Sequence, residues 1–213
     1  LSSQQLRGLV QGEPAKATLH SDVKGSSVTD GSMSTLVTVN GVMSSKTLGE
    51  WLALNLSPML RGQSEYQADV VLGKNLEAYV TSSLKGMKSL LPKPLAKPLD
   101  QNRRLQLRLE AAKGKPMLVD MNLAPDHGSK TRIRSLMQID TSSRADMSST
   151  RLERMGVQFG GSPAALPAHG VFVSGVLDEL TISPWVDWWQ QNQQHFLKAD
   201  SGRRATTSPP FKL

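Results

Sequence analysis

A two-residue period in hydrophobicity runs through most of the chain, and it dictates sheet rather than helix. From Arg103 to Ala111 the order R-R-L-Q-L-R-L-E-A puts Leu105, Leu107, Leu109 and Ala111 on one face of an extended segment, with Arg104, Gln106, Arg108 and Glu110 on the other. Lys115 to Leu123 reads the same way. There Met117, Val119, Met121 and Leu123 oppose Leu118, Asp120 and Asn122, and Gly114 with Pro116 supplies the turn of an expected hairpin. Tyr66, Ala68, Val70 and Leu72 form another apolar face within Glu65 to Leu72, and Leu76, Ala78 and Val80 another within Leu76 to Leu84. Further strands are expected at Ala17 to Val23, Thr35 to Met43, Thr131 to Ile139, Arg154 to Phe159 and Val171 to Ile182. Parallel strands buried on both sides would read as unbroken apolar runs, so one wet and one dry face points to antiparallel pairing. The expected fold is mainly β: a long, antiparallel, curved sheet of repeating strands, groove-like or taco-like in section, with two short capping helices.

The first helix is expected from Thr47-Leu48-Gly49-Glu50, which has capping-box spacing and leads into Trp51, Leu52, Leu54 and Leu56. The second starts at Ser183-Pro184-Trp185, with a hydroxyl at the N-cap and proline at the first helical position, and should end near Leu197. These two places resemble each other. Val39-Asn40-Gly41-Val42-Met43 precedes Trp51 as Val173-Ser174-Gly175-Val176-Leu177 precedes Trp185, at an offset of 134 residues, which suggests a repeating β-rich unit. The chain opens at Leu1 without a leader-like segment, and the stretch from Ala199 to Pro210 is polar and rich in Ser, Thr and Pro. Residues 1–198 are accordingly expected to be an interior β segment of something longer, and 199–213 a polar linker leading to a following strand.

Several kinds of chemistry have no residues to carry them. With no cysteine, disulfides, thiolate metal sites and cysteine nucleophiles are excluded. Apolar runs such as Gly170 to Leu177 and Val70 to Leu72 are strand-sized, well short of a membrane-spanning helix. The phosphate-loop, dinucleotide, zinc-protease and serine-hydrolase signatures are all missing, and the four histidines are scattered, with only Asp126-His127 pairing one with an acid beside Pro125 and Gly128. No catalysis and no cofactor are expected. A net charge of +7 raises the question of a polyanion. Lys130, Arg132 and Arg134 alternate along one strand, and Arg103, Arg104 and Arg108 lie along another. Aromatic residues amount to only 5%, too few for a base-stacking platform, so these cations read as the solvated face of a sheet and no nucleic acid is expected. Trp185, Trp188 and Trp189 fall on one side of the second helix and are expected to dock it.

The order of features also resembles a family. Gln63 to Leu72, then Val80-Thr81-Ser82-Ser83-Leu84-Lys85-Gly86-Met87, then Leu91-Pro92-Lys93-Pro94-Leu95-Ala96-Lys97-Pro98 are similar to the S-D-L-K-G and L-P-x-P-L-x-K-P stretches of the YhdP-type, AsmA-like envelope proteins. Ser83 stands where an acid is common. The resemblance implies a long β groove, periplasmic, anchored through another part of the chain in the inner membrane of Gram-negative bacteria, that carries glycerophospholipids toward the outer membrane. Envelope proteins of the two membranes would be its other partners.

Elementary energetics fits that implication. Exposing an acyl chain of about 16 carbons to water costs on the order of 12 kcal/mol, which an apolar trough removes. The candidate lining is Tyr66, Ala68, Val70, Leu72, Leu76, Ala78, Val80, Leu105, Leu107, Leu109, Met117, Val119, Met121 and Leu123. Nine methionines add flexible thioethers suited to varied chains. The alternatives are a structural or partner-binding β scaffold whose apolar faces close into an ordinary core and, more remotely, a hydrolase with a polar pocket at Asp126 and His127.

Overall fold

The computed structural model describes residues 5–10, 12–21, 35–51, 55–125, 131–140 and 151–197. Within them the strands are β1 (Gln5–Val10), β2 (Glu13–Ser21), β3 (Thr35–Ser44), β4 (Leu60–Leu72), β5 (Leu76–Ser82), β6 (Met87–Ser89), β7 (Leu105–Ala111), β8 (Met117–Leu123), β9 (Ile133–Asp140), β10 (Arg151–Phe159) and β11 (Gly170–Gly175). The helices are α1 (Ser45–Trp51) and α2 (Ser183–Leu197). Ten strands lie side by side in the order β1-β2-β3-β4-β5-β7-β8-β9-β10-β11, and β6 pairs with the first residues of β4. Every neighbouring pair is antiparallel except β10 and β11. The mainly β, largely antiparallel architecture read from the two-residue period is thus the observed one.

Register converts the alternation into continuous rows. Leu6 of β1 is opposite Ala17, and the line continues through Val39, Ala68, Val80, Leu107, Met121, Ser135 and Val157 to Val173 of β11. On the same face Leu19, Val37, Val70, Ala78, Leu109, Val119, Met137, Met155 and Val171 make a second row. A third runs from Tyr66 through Ser82, Leu105, Leu123 and Ile133 to Phe159. A one-residue slip in register would turn the whole apolar set of the slipped strand onto the wet face, so the dry face fixes the pairing.

The two margins of the sheet differ. At one, β4 turns into β5 through Gly73–Asn75 and β7 into β8 through residues 112–116. The other margin carries α1, the long 83–104 connection and the start of α2. α2 reaches that margin because β11 runs parallel to β10, and the connection from Phe159 to Gly170 crosses back over the sheet as a strap. The strap lies on β10 so closely that a Cβ on Gly156 would sit 1.9 Å from the Ala165 carbonyl oxygen. Arg154 fastens it by donating to the Pro167 carbonyl at 3.2 Å.

Two expectations need correction. The strand predicted over Val171 to Ile182 ends at Gly175, whose φ of +122° turns the chain out while the Val176 N–H bonds the Phe159 carbonyl at 3.1 Å. α1 begins at Ser45, so Thr47 lies inside the helix and Ser44 is its cap, accepting from the Thr47 N–H at 3.2 Å. The 134-residue recurrence falls on a strand followed by a helix in both places, with the matched residues at different positions in them. Gly41 lies inside β3 and Gly175 ends β11; Trp51 closes α1, whereas Trp185 is in the first turn of α2. Val23, Leu52 and Leu54, Asp126, His127 and Lys130, and residues 199–213 lie outside the described residues.

Candidate functional site

All fourteen predicted lining residues fall on the one apolar face, brought there by strand registers that no single strand could reveal. Tyr66, Ala68, Ala78, Val80, Leu105, Leu107 and Val119 are buried; Val70, Leu109, Met117, Met121 and Leu123 are half-buried; Leu72 and Leu76, paired beside the β4–β5 turn, are exposed. The face is deepest at β8 and β9, where Val119 and Ile139 have no exposed surface and Met137 is 1% exposed. It stays apolar out to the β11 edge, where Val171 and Val173 are exposed. Ile133, Ser135, Met137 and Ile139 of β9 belong to the same surface and escaped the sequence reading. Their alternation was the available signal, but Ser135 on the dry side and Leu136 on the wet side blur it. Leu136 can face outward because Pro163 and Ala164 of the strap lie over that part of the sheet.

The α1 margin closes the apolar face. Met43, Leu48, Leu56 and Met87 are buried there in one cluster with Tyr66 and Leu105. Glu13 of β2 holds α1 in place: its carboxylate accepts the Ser44 N–H at 3.1 and 3.0 Å and the Thr47 hydroxyl at 2.7 Å. Burial works against its ionisation, yet the hydrogen bonds from Ser44 and Thr47 outweigh that and leave its pKa below the ordinary value. Burial raises the Tyr66 pKa, and the Glu13 charge adds to the effect.

The segments carrying the family resemblance form the rest of this margin. Ser82 donates to the Glu65 carbonyl at 2.7 Å and accepts the Leu84 N–H at 3.1 Å, while Ser83 accepts the Lys85 N–H at 3.3 Å, a contact that an acid at 83 could equally make. Gly86 has φ +86° and bonds the Leu99 carbonyl through its N–H and the Gln63 N–H through its carbonyl, so the turn stitches β4 to the following loop. Lys97 is 4% exposed, with Nζ donating to the Met87 carbonyl at 2.6 Å and the Pro98 carbonyl at 3.0 Å. Arg103, 3% exposed, donates to the carbonyls of Ala124 at 2.9 Å and Pro94 at 3.2 Å. Trp185 of α2 donates its indole N–H to the Lys93 carbonyl at 3.0 Å and meets Trp188 edge to face at 6.4 Å. Two of the three clustered tryptophans are half-buried, and Trp189 is exposed.

Of the basic residues that the sequence placed in a possible stripe, Lys130 lies outside the described residues and three of the others are engaged within the chain. Arg103 points into the loop, and Arg108 is paired with Glu110 at 2.6 Å and stacked over Tyr79 at 5.5 Å. Arg132 donates to Asn122 at 3.4 Å. Among the described residues no helix is long and apolar enough to cross a membrane, and no three His, Asp or Glu residues gather to hold a metal.

Comparison with known proteins gives one match: the model of the family described as YhdP protein covers residues 1–210. No curated protein and no solved structure matches the chain.

Proposed function

Because the chain belongs to the YhdP protein family, we propose that its apolar face is a stretch of trough that shields phospholipid acyl chains between the two membranes of a bacterial envelope. Family membership supports an envelope protein; the periplasmic setting, the inner-membrane anchor and the lipid cargo are parts of the proposal. The observation that carries it is the row from Leu6 to Val173, apolar at every position but Ser135. It crosses ten strands, and nine steps of about 4.8 Å make it roughly 43 Å long. A bilayer's hydrocarbon core is about 30 Å thick, so the row exceeds the length of one acyl chain and a chain sliding along it stays dry. Only Ser135 in that row offers a polar side chain, so the lining gives little to arrest a lipid at a fixed point. The role is non-catalytic.

Photoreactive side chains at Leu107 and Met121 test this. Both should capture phospholipid from membranes, and the same group at outward Arg108 should not; equal labelling at all three overturns the reading. A second reading, a solid structural scaffold, is favoured by the complete burial of Val119 and Ile139. It predicts no adduct at any of the three positions and no lipid on native extraction.

A further inference from the structure

Ser135 sits on the dry face, on the eighth of its ten strands, with no exposed surface, and its hydroxyl has no hydrogen-bond partner among the described residues. Its cross-strand neighbours are Met121 and Val157, and Ile133 and Met137 flank it on β9. A hydroxyl left unmade in such surroundings is unfavourable, and an alanine would fill the position without that cost. Ser135 is also small among larger neighbours on this face. The side chains beside it are adaptable, since Met121 is its cross-strand neighbour, Met137 follows it on β9 and Met155 pairs with Met137, and thioether chains swing between rotamers easily.

We propose that Ser135 is a binding point for ester-linked lipid: when the methionines move aside, its hydroxyl donates to an ester carbonyl at the junction of glycerol and acyl chain. This rests on the trough reading above and adds to it a chemical preference. An ester presents a carbonyl acceptor just where the apolar chain begins, and an ether-linked chain of the same length does not. The hydroxyl therefore registers the lipid once along an otherwise uniform row, by an interaction weak enough to be released.

The test compares vesicles of phosphatidylglycerol carrying diester-linked chains with vesicles of the same headgroup carrying diether-linked chains, using the intact protein and lipid capture at Met121-adjacent Leu107 as the readout. The wild type should take up the diester lipid about five-fold better, the ratio one hydrogen bond supplies. Ser135→Ala should bring that ratio to one while raising the Tm of the lipid-free protein, and Ser135→Thr, which keeps a hydroxyl, should retain the preference. Equal uptake of the two lipids by the wild type overturns the proposal and leaves the trough intact. An unchanged ratio in Ser135→Ala, with a lowered Tm, overturns it in favour of a structural hydroxyl. Capture of neither lipid would remove the trough itself.

Discussion

Glu13 completes the cap of a helix whose cap residue lies 31 residues later: both of its carboxylate oxygens accept the backbone N–H of Ser44. In an ordinary capping box the acid is the third residue of the helix itself. Here that place holds Thr47, which instead donates its hydroxyl to Glu13, so the cap exists only when β2 is paired with β3. Helix formation at this margin is thereby coupled to sheet formation.

That coupling gives a pH dependence. The folded-state pKa of Glu13 lies below its unfolded value, so the unfolded chain binds the proton more readily, and the contribution is present above the unfolded pKa and lost as pH falls through the folded one. Glu13→Gln should lower stability by about 1 kcal/mol at neutral pH and flatten the fall in Tm on acidification below about pH 4.5. The same variant should bring the Tyr66 titration closer to that of an ordinary phenol, read by its ultraviolet absorbance.

Lys97 offers a test of the loop that fastens this margin. Its ammonium group bonds two backbone carbonyls in a nearly sealed site, and a methionine of similar length would leave those acceptors unmatched. Lys97→Met should cost about 1–3 kcal/mol in denaturant unfolding. Lys85→Met, at a position in the exposed turn nearby, should cost less than about 0.5 kcal/mol.

The strap predicts an order among glycines. An alanine methyl at Gly156 would meet the Ala165 carbonyl carbon at 2.9 Å and its oxygen at 1.9 Å, both backbone atoms that cannot swing away. At Gly41 the nearest atoms are 3.1–3.2 Å off and include the movable Tyr66 ring. Gly156→Ala should destabilise by about 1–3 kcal/mol and speed hydrogen exchange in β11, while Gly41→Ala should cost less and leave β11 protected.

These cases also mark how much the sequence disclosed. The β7–β8 hairpin was legible to within two residues, since the expected strands Arg103 to Ala111 and Lys115 to Leu123 contain the observed Leu105–Ala111 and Met117–Leu123 around Gly114 and Pro116. β1 was not, because Gly8 occupies an inner position where alternation needs a side chain, and three-residue β6 is too short to show a period. The parallel placement of β11 has no local signal at all. It depends on Gly156 admitting a carbonyl from nine residues further on, a tertiary contact. The shared face of the lining was legible strand by strand, whereas its continuity across ten strands came only from register, and Ser135 looked like an interruption of β9 rather than part of its dry side.

The exposed end of the candidate lining allows the proposed lipid role to be tested apart from folding. Leu72 and Leu76 face each other beside the β4–β5 turn at 45% and 39% exposure, on the same side of the sheet as fully buried Val119. A charge at Val119 would be stranded without water and should prevent folding, as Val119→Glu would show by loss of the cooperative melt. Leu76→Glu keeps its charge hydrated and should change stability by less than about 0.5 kcal/mol. If acyl chains run along this face, that same carboxylate sits at the rim of their path, and phospholipid capture by a photoreactive group at Met121 should fall several-fold while the melting curve stays in place. Unchanged capture in a folded Leu76→Glu protein would exclude the β4–β5 end from the lipid route and confine it to the rows that pass through Val80 and Ala78.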